Sequence, residues 1–263
     1  LTVDFEKTLE EQLLQIYNFL RELTSDAPEL LVFLRRWDVH NLKLLVVAEG
    51  RGKPSRLGIM PIEELRKMVE SSDYKGLPKE FKAVLEHLPE SGPEQAAELD
   101  KAYYRYGLRI LNKNSRLLGD YWQARQDLIN LQIFLRLRKA GALVEEFKRF
   151  MVEPGVIDSK QWIDNYNLPE ANLAIILKNS PYENLLRGKE EIFKNLPFLE
   201  SEIDDFLLDM IKKAKAIPLG IEPLVGYLLA KEREVMNLRL ILSGKENKLP
   251  AETVRRRLRN VYI

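Results

Sequence analysis

The fold is decided by the stretch Glu234-Val-Met-Asn237-Leu-Arg-Leu-Ile-Leu242 near the C-terminus of the chain. Two degenerate copies of this stretch lie upstream, at Asp38-Val-His-Asn41-Leu-Lys-Leu-Leu-Val46 and Asp127-Leu-Ile-Asn130-Leu-Gln-Ile-Phe-Leu135. Each copy reads acid, two residues, Asn, Leu, a long polar residue and three apolar residues. A pattern repeated at such long spacing indicates one helical building block used three times. We call these three stretches the Asn segments.

The recurring asparagine is expected to have a structural role. Asn is mildly unfavourable inside a helix, so its return in the same context predicts a buried hydrogen bond from each Asn to a neighbouring helix. The alternative is direct contact between these residues and a partner protein. The residues expected to define the repeat are Asp38, Asn41, Asp127, Asn130, Glu234 and Asn237.

The repeat extends beyond the Asn segments. Each one is followed by a basic, glycine-containing break and then by the start of another helix, at Met60-Pro61, Ile157-Asp158 and Leu249-Pro250. We therefore expect three helical units, at residues 1–75, 76–167 and 168–263. Because only 40 residues precede Asn41, the first unit is expected to lack about one helix pair at its N-terminus.

Apolar residues recur at three- and four-residue steps along most of the chain, and strand-like alternation is absent, which predicts an all-α fold. The last long helix is expected to end at Ser243-Gly244, where Gly would adopt the left-handed conformation. Two long helices are expected between Pro93 and Pro154, with a break near Asn112–Ser115. The remaining helices are predicted at 3–24, Pro28 to about Val47, 61–70, 78–88, 142–152, 158–166, 168–178 and 200–214.

Composition excludes several functional classes. The chain has 263 residues, no Cys and two His, so disulfides are excluded and neither a zinc site nor a Ser-His-Asp triad is expected. Gly50-Arg-Gly-Lys53 lacks the spacing of a phosphate-binding loop. The acidic residues Glu202, Asp204, Asp205 and Asp209 are expected on a solvated helix face; an enzyme working through the Asp204–Asp209 cluster remains an alternative. We expect no catalytic residues, no metal and no cofactor.

The charge pattern indicates the kind of partner. Lys and Arg number 41 and Asp and Glu 40, a net charge of +1 that gives no general attraction for nucleic acid. The arginines Arg255, Arg256, Arg257 and Arg259 are denser than a helix end requires, which favours an acidic protein partner or a membrane headgroup region. No apolar run approaches the roughly 18–20 residues that span a bilayer, and we expect no signal peptide.

The segment from Tyr227 to Lys245, together with Phe33-Leu-Arg-Arg-Trp-Asp-Val-His-Asn-Leu-Lys43, resembles the C subunit of archaeal and bacterial V/A-type rotary ATPases, the counterpart of the eukaryotic d subunit. The resemblance covers essentially the whole chain. It implies three helical units arranged as a funnel or socket, and a non-catalytic rotor part of the central stalk. Such a part sits on the proteolipid ring at the cytoplasmic face of the membrane, as a peripheral protein, and receives the central-shaft subunits. ATP is then handled by other subunits.

For such a socket, we expect the polar ends of the Asn helices to line or border the centre. The candidate partner-contacting residues are Arg35, Arg36, Arg125, Lys231, Arg233, Arg255 and Arg256. The alternative function is a soluble all-α repeat adaptor that binds an acidic protein partner. The two differ in arrangement, because an adaptor would stack its units in an open superhelix and a coupler would arrange them around an axis.

Overall fold

A computed structural model describes residues 4–153, 155–169, 175–185 and 195–262, and within these ranges it contains helices and no strand. The expected all-α fold is therefore confirmed. The helices are α1 Phe5–Thr24, α2 Pro28–Val46, α3 Ile62–Ser71, α4 Lys79–Leu85, α5 Gly92–Asn114, α6 Arg116–Lys139, α7 Val144–Phe150, α8 Ser159–Asp164, α9 Leu196–Lys212, α10 Glu222–Glu246 and α11 Ala251–Arg255.

The first two helices follow directly from sequence signals. Asp4 caps α1, because its carboxylate accepts a hydrogen bond from the Lys7 N–H at 3.2 Å. The apolar stripe of α1 is buried, and Ser25 ends the helix in the left-handed conformation with φ of 48°. Pro28 then occupies the first turn of α2, where its missing N–H costs nothing.

The expected break between the two central helices is confirmed at Ser115. Its backbone N–H still bonds to Leu111 O of α5, while its hydroxyl accepts a hydrogen bond from the Leu118 N–H at 3.3 Å and so caps α6. The two helices pack closely, because a Cβ on Gly107 of α5 would overlap the Trp122 ring of α6. Glycine at this position lets the indole sit directly against the α5 backbone.

The end of the last long helix differs from the prediction. The helix runs past Ser243-Gly244 to Glu246, and the left-handed residue is Lys248, with φ of 53°. Gly244 is buried within the helix, and a Cβ there would lie 2.5 Å from a Val254 methyl of α11. This glycine therefore serves close helix packing and not helix termination. The helix predicted at 168–178 includes residues 170–174, which lie outside the described residues.

Six long helices contact one another in a closed cycle. In order, α1 contacts α2, α2 contacts α5, α5 contacts α6, α6 contacts α9, α9 contacts α10, and α10 returns to α1. Each Asn segment lies on the second helix of one consecutive pair, on α2, α6 or α10. The short helices α3, α4, α7, α8 and α11 follow or precede these pairs.

Candidate functional site

The three asparagines make the same pair of hydrogen bonds. The Asn41 amide donates to Ser55 O at 2.9 Å and its carbonyl accepts from Ser55 N at 2.8 Å. Asn130 bonds in the same way to Val152, at 2.7 and 2.8 Å. Asn237 bonds to Arg259, at 2.9 and 3.0 Å. Each side chain thus satisfies both polar groups of one backbone residue.

The partner of each asparagine is a returning chain segment and not, as predicted, a neighbouring helix. In the second and third copies the returning residue lies 22 positions after the Asn, and in the first copy 14 positions after it. Helices α7 and α11 both start 14 residues after their Asn (144 − 130 and 251 − 237). Leu249-Pro250 therefore corresponds to the start of α7, and not to Ile157-Asp158 as the sequence suggested. The first copy replaces this short helix by a loop.

Two of the three acidic residues hold the same returning segments. Asp38 accepts a hydrogen bond from the Met60 N–H at 3.1 Å, and Asp127 accepts from the Val156 and Ile157 N–H groups at 2.7 and 3.1 Å. Burial raises the pKa of both carboxyl groups, although these hydrogen bonds oppose the increase. The loop backbone reaches each carboxylate at a glycine, Gly58 or Gly155, where a Cβ would overlap the carboxylate oxygen.

The third acidic residue has different surroundings. Glu234 is exposed and pairs with Lys231 at 2.8 Å. The carboxylate that holds the third returning segment belongs to Asp205 of α9, which accepts from the Asn260 N–H at 2.9 Å. Burial raises the pKa of Asp205 as well. This residue belongs to the acidic cluster that the sequence suggested to be a solvated helix face.

Side chains five positions before each asparagine meet in one cavity. These residues are Arg36 of α2, Arg125 of α6 and Glu232 of α10, and all three line a cavity of about 420 Å³. We call it the central cavity, because residues from five of the six helices of the contact cycle, α1, α2, α6, α9 and α10, line it. Its wall also includes Trp37, Tyr121, Asp204, Arg233, Arg239 and apolar residues from α1, α9 and α10.

Glu232 connects the third pair of helices to the first. Arg36 lies 2.6 Å from its carboxylate, and the Tyr17 hydroxyl of α1 donates a hydrogen bond to it. The indole N–H of Trp37 donates to the same hydroxyl at 3.2 Å. Burial alone would lower the pKa of Arg36, but Glu232 and then Tyr17 outweigh it and hold that pKa above its usual range. Sequence reasoning missed Glu232, which is visible only when the three Asn segments are aligned.

Arg125 and Arg233 differ in their partners. The Arg125 guanidinium lies over the Trp122 ring, 5.3 Å from its centroid, and forms no ion pair with a carboxylate among the residues that the structure describes. Arg233 donates to Asp204 O at 2.8 Å, and the Asp204 carboxylate also binds Arg259 at 2.9 Å.

The other candidate contact residues lie away from this cavity. Arg35 is 8% exposed and binds Asp38 at 2.8 Å, so it is part of the internal support of the first Asn segment. Lys231 is partly exposed beside Glu234. Arg255 and Arg256 are exposed at the end of α11, and Arg256 pairs with Glu252 at 3.3 Å. Surface-accessible positive charge among the candidates is thus concentrated at Lys231, Arg255 and Arg256.

The acidic cluster does not form a pair of free carboxylates. Asp204 lines the cavity but is bound by two arginines, Asp205 holds the Asn260 backbone, and Asp209 is exposed and bonds to Lys212 at 3.0 Å. The expectation of a solvated face therefore fails for Asp204 and Asp205, since both carboxylates are used to anchor the C-terminal segment.

Residues 2–257 match the sequence profile of the family described as ATP synthase (C/AC39) subunit. The chain belongs to this family of V/A-type ATP synthase C subunits. It is 26% identical to the C subunit of the A-type ATP synthase of Methanocaldococcus jannaschii, over 96% of this chain and 71% of that protein. It is 27% identical to the C subunit of the V-type sodium ATPase of Enterococcus hirae, over 98% of this chain and 83% of that protein.

The family membership agrees with the resemblance carried by Tyr227–Lys245 and Phe33–Lys43. A third relative, the C subunit of the A-type ATP synthase of Desulfurococcus sp., is 24% identical over 96% of this chain and 74% of its own length. Among the parts of this family member that the structure describes, no helix combines the length and the apolar character needed to cross a bilayer.

Proposed function

We propose that the chain is a non-catalytic central-stalk subunit that joins the central shaft of a V/A-type ATPase to the membrane proteolipid ring and transmits torque between them. The closed cycle of three helix pairs is the observation that carries this proposal. A coupler must resist twisting, and a closed ring of packed helices with supporting hydrogen bonds at three equivalent places suits that load. ATP hydrolysis or synthesis then takes place on other subunits, and this subunit needs no cofactor.

The proposed organisation is three helical units, at 1–75, 76–167 and 168–263, arranged as a funnel or socket around the axis. Convergence of Arg36, Arg125 and Glu232 from equivalent positions supports it. In this arrangement the subunit is peripheral, at the cytoplasmic face of the membrane, and is held there through the ring.

We assign partner contact first to Lys231, Arg255 and Arg256. These side chains are accessible, whereas Arg35, Arg36 and Arg233 are bound to internal acceptors and their replacement would disturb the fold itself. Exposed positive charge favours an acidic surface on the partner and speeds association through long-range attraction.

The alternative function, a soluble repeat adaptor, has less support. An adaptor built from stacked repeats leaves its terminal units apart and in contact with only one neighbour each. Here α1 contacts α10, near the other end of the chain, and Arg239 of α10 pairs with Glu6 of α1 at 2.8 Å. This closure favours the coupler.

Binding of the purified chain to the central-shaft subunits and, separately, to the detergent-solubilised proteolipid ring tests the proposal. The triple variant Lys231→Glu, Arg255→Glu and Arg256→Glu is expected to weaken binding to at least one of these partners by about tenfold or more. The matched control is Arg116→Glu, since the Arg116 side chain is 95% exposed on the same molecule. Binding by wild type should also weaken as salt increases.

Two results would count against the proposal. Failure of the wild-type chain to bind either partner would favour the adaptor. Equal binding by wild type, triple variant and control would reject the assignment of contact to these three residues while leaving the coupling role itself in place.

A further inference from the structure

We propose that the central cavity is an oxyanion site, which binds a phosphate or a carboxylate group through Arg125. The site is a property of the isolated chain and does not depend on the coupling role. Its ligand has two possible sources, a free phosphate compound or the acidic side chain of a partner, and both present the same chemistry to a guanidinium group.

The cavity has more positive than negative charge. Four arginines line it, Arg36, Arg125, Arg233 and Arg239, against the two carboxylates Glu232 and Asp204, which leaves a formal excess of two positive charges (4 − 2). Asp204 is further shared with Arg259, which lies outside the lining. Arg239 also has a partner outside the lining, because it pairs with Glu6 at 2.8 Å. Among the residues that the structure describes, Arg125 is therefore the lining arginine without an ion pair of its own, although Glu232, which pairs with Arg36, also attracts it.

The arginines of the cavity also have more donors than the protein offers acceptors. Arg36 Nε and Arg233 Nη1 are buried without a hydrogen-bond partner, and Arg233 Nη1 lies 3.5 Å from the nearest Asp204 oxygen. Unsatisfied buried donors are uncommon and call for an explanation. Here they show that Glu232 and Asp204 do not provide an acceptor for every donor of the Arg36 and Arg233 guanidinium groups.

Arg125 is held ready for such a ligand. Its guanidinium lies over the Trp122 ring and 6.0 Å from the Tyr104 centroid, and these buried rings restrict its motion. A planar guanidinium fixed in this way presents paired N–H donors that match the two oxygens of a carboxylate or phosphate. The surrounding wall is apolar at Leu207, Leu208 and Leu229, which lowers the local dielectric and strengthens a charge-assisted bond.

The volume agrees with a small ligand or a single side chain. At about 420 Å³ the cavity lies within the usual range of small-molecule sites, roughly 300–1,000 Å³. Trp37 forms part of its wall, so ligand entry should alter tryptophan fluorescence.

The test uses the intact chain and two probes of the same charge class, inorganic phosphate and glutarate. Tryptophan fluorescence and the midpoint of thermal unfolding are measured as each probe is added at constant ionic strength. We expect saturable binding by wild type, weakened about tenfold or more in Arg125→Gln and unchanged in the control Arg116→Gln. Arg125→Lys, which retains the charge but not the planar fork, is expected to bind with intermediate strength.

The two probes separate the sources of the ligand. Tighter binding of phosphate assigns the site to a free phosphate compound, and tighter binding of glutarate assigns it to an acidic side chain of a partner. The proposal is overturned if neither probe gives a saturable change in wild type, or if Arg125→Lys and Arg125→Gln respond as wild type does. If Arg125→Gln fails to fold, the comparison of wild type with Arg125→Lys still decides the result.

Discussion

The second and third Asn segments use the same hydrogen bonds in different surroundings. Asn130 and Asn237 both bind the backbone of the residue 22 positions later. In both segments a turn and a short helix lie between, and the short helix starts at the same distance from the Asn. Asn130 is 2% exposed and its neighbour Asp127 is fully buried, whereas Asn237 is partly exposed and Glu234 lies on the surface. The local geometry is therefore common to the two segments, and burial decides how much each hydrogen bond contributes to stability.

Between the two segments, the largest difference in stability is expected when the asparagines themselves are replaced. Asn130→Ala would leave the N–H and C=O groups of Val152 buried without partners, at a cost of about 3 kcal/mol in the free energy of unfolding. Asn237→Ala is expected to cost about 1 kcal/mol, because water reaches Arg259 more readily. Urea unfolding of the two variants measures both values, and equal values would contradict the role assigned to burial.

Replacement of the acidic residue should likewise cost more stability in the second segment, at Asp127, than in the third, at Glu234. Asp127→Ala removes the acceptor for two backbone N–H groups and for the Tyr182 hydroxyl, and is expected to cost about 2 kcal/mol. The desolvation of the carboxylate, which is absent in the variant, offsets part of the loss. Glu234→Ala should cost less than about 0.5 kcal/mol, because Glu234 pairs with Lys231 at the surface. The same unfolding measurement applies. A cost for Glu234→Ala as large as for Asp127→Ala would mean that Glu234 has a structural role that its exposed position does not indicate.

Much of the fold could be predicted from sequence, because apolar spacing and Pro positions report helix periodicity directly. The break at Ser115 and the start at Pro28 are examples. The hydrogen-bond partners of the asparagines could not be predicted, since Ser55, Val152 and Arg259 contribute only backbone atoms and share no side-chain chemistry. The prediction for Gly244 was wrong for a related reason, because close packing against Val254 leaves no local sequence signal.

The candidate site was predicted in part. Arg36, Arg125 and Arg233 were predicted from their position in or just before the Asn segments, and all three line the cavity. Glu232 was missed because its charge differs from that of the two arginines at the equivalent positions. Contact between the predicted residues and a partner stays a prediction.

Gly244 offers a further comparison with the second segment, where Leu137 occupies the position seven residues after the Asn. Gly244→Ala places a methyl group 2.5 Å from Val254 and is expected to cost about 1–2 kcal/mol, because α11 must move to make room. Thermal unfolding should show a lower midpoint. A control, Ser243→Ala, changes the preceding residue without filling the contact and should stay within about 0.5 kcal/mol of wild type.

The smallest effect concerns pH. Because burial raises the pKa of Asp127 in the folded state, the folded chain binds a proton at pH values where the unfolded chain does not. Asp127 therefore favours folding more as pH falls from neutral toward the usual Asp value near 3.8. Relative to the non-titrating Asp127→Asn, wild type should therefore gain stability over this range. A constant difference between the two proteins from pH 7 to pH 4 would contradict the raised pKa.

The coupling role is tested most directly by asking whether the chain bridges its two proposed partners. Central-shaft subunits carrying a fluorescent label are mixed with the proteolipid ring in liposomes, with and without this chain, and the labelled shaft that sediments with the liposomes is measured. The account predicts that the shaft sediments only when the chain is present, and less so at high salt. Sedimentation of the shaft to the same extent without the chain, or its absence in both cases, would contradict the account.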